Sequence, residues 1–235
     1  MFSFLTKPHL PSNSIGLEKD FVTAVSIEGS RQNFRINRAA TVDLPAGLIN
    51  PSFTEKNISS QANLRVYIEE AIGAAGLLDK KRWSVSLPAS SCRSSLLTVE
   101  NDPSLKKKLE EVLDWKAEQS FGVPARQMRI SWYSLGTDTQ GKARYFASAI
   151  RLEVLEEYEA LFEGMGLNAG LIITKPVAEA SWLADKLGDR LLISEQSDGF
   201  TGILMRAGTP SFIRNVNCSA EQIYDEIYRL LLFYS

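Results

Sequence analysis

Residues 112–133, VLDWKAEQSFGVPARQMRISWY, join an amphipathic helix to a strand across a short break. Gly122 and Pro124 predict where the helix ends. The alternation over 129–134 then predicts a half-buried strand. The side chains before the break recur at helical spacing and predict a stripe that faces a core; they are Leu105, Leu109, Val112, Leu113 and Lys116.

Outward from this stretch, the composition is that of an ordinary globular protein. Of the 235 residues, 44% are hydrophobic and 23% are charged. The 26 basic and 28 acidic residues give a formal net charge of −2, which argues against nucleic acid as the main partner. Cys92 and Cys218 lie too far apart in sequence for a disulfide framework or a metal-binding spacing, so we expect a reducing, cytoplasmic location and no metal.

We expect neither a membrane-spanning helix nor a secretory signal in this sequence. No apolar run approaches the ~18–20 residues that span a bilayer, and the first residues are a poor secretory signal. We expect residues 1–12 to form a flexible tail. At the other end an apolar helix stripe runs to Ser235 without a stop signal, so we expect the native protein to continue; its members are Ile223, Ile227, Leu230, Leu231 and Tyr234.

Periodicity predicts an α/β protein with two lobes. A group of strands opens the chain from Ile15, and a second group opens at Arg190. The other predicted strands cover 83–87, 93–99, 129–134, 143–150 and 170–174, and the predicted helices cover 63–76, 104–119, 152–163, 177–186 and the C-terminus.

Five segments, in order along the chain, resemble the PilM family of type IV pilus proteins. They are VTAVSI (22–27), LPAGLI (44–49), VSLPASSCRSSLLTV (85–99), DWKAEQSFGVP (114–124) and GLNAGLIITKPVAEASWL (166–183). The resemblance implies an actin-like (RNase H-like) fold with mixed sheets. It places a first lobe with an inserted α/β subdomain at 13–165 and the start of an incomplete second lobe at 166–235. The cytoplasmic part of GspL, a type II secretion protein, is similar.

The resemblance also implies a role. PilM-like proteins lie at the cytoplasmic face of the inner membrane and bind the short cytoplasmic tail of the membrane protein PilN. We therefore expect a scaffold of a pilus or secretion platform that contacts the membrane only through its partner. Other platform or motor components are expected partners as well.

Nucleotide binding in this family depends on turns of the type Asp-x-Gly-Ser, where glycine lets the backbone approach a phosphate. Aligning VTAVSI with the family strand puts Gly16 at the Asp position and Glu18 at the Gly position. Lys19 and Asp20 fall where small hydroxyl residues are expected. A carboxylate there would repel a polyphosphate by about 1–4 kcal/mol at ~4 Å.

The second turn departs from the family pattern in the same way. Ser194 stands at the Asp position and Gln196 at the Gly position, and residues 216–220 contain no glycine where the family has a pair. The resemblance therefore implies a pseudo-ATPase without cofactor. The alternative is an active actin-like protein that binds ATP with Mg²⁺ and hydrolyses it. In that case Lys19 and Asp20 would bind phosphate or metal in a rearranged site rather than form a solvated turn.

Large side chains near the helix–strand junction are the candidates for partner binding, because such anchors commonly dominate interfaces. They are Trp115, Phe121, Val123, Pro124 and Trp132. Core packing is the competing explanation for each one. In PilM-like proteins the partner tail lies in a groove of the first lobe, where an extended peptide could add main-chain hydrogen bonds.

Overall fold

The computed structural model of the chain describes residues 10–30, 33–102, 108–184 and 188–234. Residues 1–9 of the tail predicted over 1–12, and the start of the helix predicted at 104, lie outside these residues. Contacts divide the chain into two compact units that interleave in sequence. Unit 1 comprises 1–50, 57–87 and 157–174, and unit 2 comprises 51–56, 88–156 and 175–235.

Unit 1 contains a five-stranded sheet in the order β3-β2-β1-β4-β8. Its strands are β1 (Asn13–Leu17), β2 (Phe21–Ser30), β3 (Asn33–Asp43), β4 (Arg82–Leu87) and β8 (Asn168–Thr174). The first three strands pair antiparallel, whereas β4 pairs parallel with β1 and β8. Along β2, Val22, Ala24 and Ser26 are buried while their neighbours are not, as expected for a strand with one face in the core.

One helix of unit 1, and the part of a second helix from residue 157 onward, bury apolar residues in this unit. Helix α1 (Gln61–Ala74) begins at Ser60, whose side chain accepts a hydrogen bond from the Asn63 amide and so caps the first turn. Its buried residues are Leu64, Ile68, Ala71 and Ile72. Helix α3 (Leu152–Gly164) contributes Tyr158 and Phe162, which are almost fully buried.

One carboxylate joins α3 to the loop that precedes α1. The Glu157 oxygens accept hydrogen bonds from the backbone amides of Asn57, at 2.5 Å, and Ile58, at 3.2 Å. The Tyr158 hydroxyl lies 3.3 Å from Asn57 Oδ1. Since Asn57 is fully buried, loss of the carboxylate would leave its amide without this acceptor.

Unit 2 contains two three-stranded sheets. The first has the order β5-β7-β6, with β5 (Arg93–Val99), β6 (Met128–Thr137) and β7 (Ala143–Arg151), and the second has the order β11-β10-β9, with β9 (Arg190–Gln196), β10 (Gly199–Arg206) and β11 (Thr209–Asn217). Neighbouring strands in both sheets pair antiparallel. The predicted second strand group at Arg190 is confirmed.

Three helices belong to unit 2: α2 (Leu109–Phe121), α4 (Lys175–Ala180) and α5 (Ile223–Tyr234). Gly122 ends α2 in the left-handed conformation, with φ of 70°. The buried stripe of α2 is centred on Leu113, Ala117 and Phe121. It lies beside the predicted stripe, and Val112 and Lys116 are half-buried at its margin. In α5, Leu230 is buried and approaches Gly202 of β10.

The predicted elements are otherwise confirmed, with shifts of a few residues at their ends. The helix predicted over 177–186 begins earlier, at Lys175, and gives way to a 3-10 turn at Ser181–Leu183. The contact units do not follow the predicted boundary between 165 and 166. The assignment of 13–165 and 166–235 to actin-like lobes stays a prediction.

We predict that Glu157→Ala lowers the free energy of unfolding by about 1.5–3 kcal/mol, since hydrogen bonds to a charged group are lost. Urea denaturation followed by circular dichroism measures this change. The matched control is Glu156→Ala, which removes an exposed carboxylate from the neighbouring position of α3. Equal losses in both variants would contradict a specific role for the Glu157 contacts.

Candidate functional site

The predicted first nucleotide turn is the hairpin between β1 and β2. Gly16 lies within β1, opposite Thr23 and beside Ser86 of β4. It therefore supplies no side-chain ligand at the position where the family has Asp. Lys19 is half-buried and Asp20 is exposed at the tip of the turn.

Glu18 is buried within this turn, with 6% of its surface exposed. Its amide donates to the Phe21 carbonyl at 3.0 Å, and the Leu44 amide donates to the Asp20 carbonyl at 2.7 Å. The turn thus satisfies part of its backbone internally. A buried carboxylate at this position makes the turn unfavourable for a phosphate group.

The predicted second turn is the hairpin between β9 and β10 in unit 2. Gln196 pairs with Gly199, so Ser197 and Asp198 form a two-residue loop. Asp198 Oδ2 accepts a hydrogen bond from Ser90 Oγ at 2.7 Å. Gly199 adjoins the loop at φ of 141°, so the hairpin turn is tight.

Side chains cross the sheet behind this loop. Gln196 Nε2 donates to Thr201 Oγ1 at 2.6 Å, and Thr201 Oγ1 donates to Asn215 Oδ1 at 2.8 Å. Ser194 is also buried, and its hydroxyl has no hydrogen-bond partner among the described residues. The Gln196 amide thus occupies the side-chain position where the family has glycine, and its contacts hold it on the sheet.

The segment after β11 starts a helix. Ser219 and Gln222 form a capping box, in which the Ser219 amide donates to Gln222 Oε1 at 3.2 Å. A β-carbon at Gly199 would lie 2.0 Å from the Val216 carbonyl oxygen. The close approach of β10 to β11 at this position therefore requires glycine. The helix start therefore satisfies part of its own hydrogen-bonding capacity.

The predicted partner-binding residues divide between core and surface. Trp115 on α2 is 55% exposed and Trp132 on β6 is 38% exposed. Phe121 is in the core beneath α2, and Val123 packs partly against the same core. Pro124 is exposed and precedes a 3-10 turn at Ala125–Gln127. Trp115, Pro124 and Trp132 are therefore accessible to a partner, whereas Phe121 has a structural role.

An acidic flank lies beside Trp115 on α2. Glu110, Asp114 and Glu118 are spaced four residues apart and so share one side of the helix. Partial burial, together with repulsion from Glu110 and Glu118, raises the pKa of Asp114. Glu118 also accepts a hydrogen bond from the Ala125 amide at 2.7 Å and so positions the loop after the helix.

An open depression in unit 1 was not predicted from the sequence. It has a volume of about 430 Å³ and lies between the loop after β3 and the first turns of α1. Leu48 is buried there, whereas Val66 is 58% exposed. It is lined by Pro45, Ala46, Gly47, Leu48, Ser59, Asn63, Val66 and Tyr67. The LPAGLI segment contributes part of the lining of this depression. The α1 residues that complete the lining are distant in sequence.

Among the residues that the structure describes, no helix is both long and apolar enough to cross a membrane. Likewise, no group of three or more His, Cys, Asp or Glu side chains is arranged to hold a metal ion within those ranges.

Comparison with solved structures gives the fold. Over 94% of its length, the chain matches a chain of the PilM–PilN type IV pilus biogenesis complex, with a TM-score of 0.74 and 19% identity. A Bacteroides thetaiotaomicron protein described as having an actin-like ATPase fold matches over 100% of this chain and 79% of its own, with a TM-score of 0.54 and 11% identity. The chain has an actin-like fold.

A third actin-like neighbour comes from a secretion system. The cytoplasmic domain of EpsL, an inner membrane component of the Vibrio cholerae type II secretion system, matches over 87% of this chain and 70% of its own, with a TM-score of 0.53 and 11% identity. The predicted resemblance to PilM and GspL-like proteins is thus confirmed at the level of structure. The actin-like chain spans 66% of the PilM–PilN chain that it matches. Neither the protein-family models nor the curated proteins give a match.

We predict that Gly16→Asp combined with Glu18→Gly does not give the actin-like chain saturable Mg·ATP binding. The double substitution restores the first family turn, but Gln196 remains hydrogen-bonded on the second hairpin. Isothermal titration calorimetry is the measurement, and circular dichroism checks the fold. Micromolar binding by the double variant would contradict the view that both turns are closed to phosphate.

Proposed function

We propose that this protein is a non-catalytic cytoplasmic scaffold of a type IV pilus or type II secretion-like platform at the inner membrane. It binds the cytoplasmic tail of a PilN-like membrane protein and is attached to the membrane through that partner. The observation that supports this most strongly is the match to the PilM–PilN complex over 94% of the chain. The EpsL match supports the same class of platform.

The absence of catalysis is proposed from the two turns. Glu18 places a buried carboxylate in the first turn, and Gln196 holds a side-chain amide on the second hairpin. Each feature acts against phosphate binding, the first by charge repulsion and the second by bulk at a glycine position. Loss of phosphate binding at both turns is harder to compensate than loss at one turn. The protein is therefore proposed to be a pseudo-ATPase that needs no nucleotide or Mg²⁺.

An actin-like protein that binds and hydrolyses ATP is the alternative function. The observation that favours it is the shared fold with the Bacteroides thetaiotaomicron protein, which is described as an actin-like ATPase fold. Under this alternative, Lys19 would contact phosphate and Asp20 would orient the metal.

Two surfaces can receive the partner tail. At the junction, Trp115 is exposed on α2 next to Asp114 of the acidic flank, and Pro124 and Trp132 are exposed on the segment that follows the helix. Cytoplasmic segments next to a membrane span carry an excess of Lys and Arg, so this flank favours such a tail. The depression in unit 1 offers Val66 and Tyr67 beside the Asn63 amide group, which suits an aliphatic side chain of an extended peptide. We place the tail at the junction.

We predict that a peptide with the sequence of the PilN-like tail binds the chain, and that Trp115→Ala weakens the complex by about tenfold or more. Truncation removes an exposed aromatic anchor without opening the core. Fluorescence anisotropy of a labelled peptide measures the affinity, and circular dichroism must show an unchanged fold.

The matched control is Val66→Ala, which truncates a similarly exposed side chain in the depression. If Val66→Ala weakens binding and Trp115→Ala does not, the tail lies in the depression and the junction assignment is wrong. If the unsubstituted chain does not bind the tail at all, the proposed scaffold function fails.

A further inference from the structure

The hairpin of β2 and β3 extends beyond the rest of the sheet in unit 1. Strand β1 pairs with β2 only as far as Ser26, and beyond Ile27 the strand β2 is paired with β3 alone among the described strands. We call this part of the hairpin, residues 27–30 with 33–36, the ribbon. Residues 27–29 and 33–36 are all exposed. Since alternate residues of a strand point to opposite faces, both faces of the ribbon are open to solvent.

The two faces of the ribbon differ in polarity. Residues that lie directly opposite each other on paired strands share a face. On one face Ile27 lies opposite Ile36, and Phe34 follows on the same face two residues away. On the other face Glu28 lies opposite Arg35, and their side chains form an ion pair at 2.9 Å. The ribbon is therefore amphipathic, and its apolar face is exposed, with 64% of the Ile36 surface open to solvent.

The size of this apolar face suits a lipid surface better than a protein. A stable protein interface takes about 20–30 residues from each side, whereas the ribbon offers the three large apolar side chains of Ile27, Phe34 and Ile36. At a membrane, exposed apolar side chains enter only the boundary between the headgroups and the acyl chains. A weak contact of this kind gives stable attachment when a second one accompanies it.

The charge of this segment favours anionic lipid. Residues 27–38 contain three arginines and one acidic residue, Glu28, a net charge of +2 in a chain whose total is −2. The Arg35 side chain is 81% exposed, and exposed ion pairs such as the one with Glu28 are weak. Because β3 is at the edge of the sheet, the long Arg35 side chain can extend past that edge and donate to a lipid phosphate instead.

We propose that the ribbon contacts an anionic lipid surface directly. Ile27, Phe34 and Ile36 enter the headgroup region, and Arg35 binds a lipid phosphate. This inference rests on the proposed location at the inner membrane, and it adds a direct lipid contact to the attachment through the tail. Two weak attachments to the same membrane hold more strongly than either one alone, because the second forms at a high effective concentration once the first is made.

Flotation of the purified chain with lipid vesicles, in the absence of any tail peptide, tests the proposal. Vesicles of phosphatidylethanolamine and phosphatidylglycerol in equal parts should carry the chain to the top of the gradient, whereas vesicles of phosphatidylcholine should not. Ile27→Ser combined with Ile36→Ser should lower the lipid partition coefficient by about tenfold or more, because two apolar side chains no longer leave water. Arg35→Gln should lower it by about fivefold.

The matched control is Tyr228→Ser combined with Leu231→Ser, which removes two similarly exposed apolar side chains from α5 and should leave the partition coefficient unchanged. Circular dichroism must show that each variant is folded. A second measurement does not depend on loss of binding. In a Cys218→Ser background, Ile36→Cys labelled with a polarity-sensitive dye should show a blue-shifted emission when anionic vesicles are added. Leu231→Cys with the same label should not.

Two results would overturn the proposal. The first is a folded chain that does not float with the anionic vesicles. Since no tail is present in that experiment, the result would leave the proposed scaffold function to the separate tail-binding measurement. The second is flotation that survives the substitutions at Ile27 and Ile36 but is lost with those at Tyr228 and Leu231, which would assign the lipid contact to α5.

Discussion

The hydrogen bonds that the Glu157 carboxylate accepts are the interaction on which unit 1 depends. This carboxylate accepts hydrogen bonds from the backbone amides of Asn57 and Ile58, which are both buried, and so fixes the chain in the loop just before α1. The same loop is held by the Ser59 amide, which donates to the Leu48 carbonyl at 3.1 Å. This loop lines the depression beside α1. The shape of the depression therefore depends on the Glu157 hydrogen bonds. A single charged group thus organises the backbone around one of the two candidate peptide surfaces.

The two hairpins show a different use of polar groups. In an actin-like nucleotide site, glycine leaves backbone amides accessible to phosphate. Here the turns carry side chains instead: Glu18 is buried in one, and Gln196 is hydrogen-bonded to Thr201 in the other. Asp198 accepts a hydrogen bond from Ser90. These contacts stabilise the hairpins themselves and are consistent with a protein whose function is binding.

Much of the fold could be predicted from the sequence because its signals are local. The alternation in β2, the glycine that ends α2 and the order of the family-like segments each depend on neighbouring residues. The exposure of the aromatic residues could not be predicted in this way. Trp115 and Phe121 lie on the same helix, but only the stripe of Leu113, Ala117 and Phe121 meets the sheet. The depression was not predicted because Leu48 and Val66, which both line it, are separated in sequence by the loop. The hydrogen bond from Gln196 to Thr201 could not be predicted either, because it depends on the register of two strands.

We propose that an actin-like fold functions here without nucleotide. The most direct measurement is isothermal titration calorimetry of the unsubstituted, folded chain with ATP and Mg²⁺, with a known actin-like ATPase as the positive control. We expect no saturable heat up to millimolar ATP, because both turns oppose phosphate binding. Saturable binding at micromolar ATP would contradict it and would make hydrolysis the function to test.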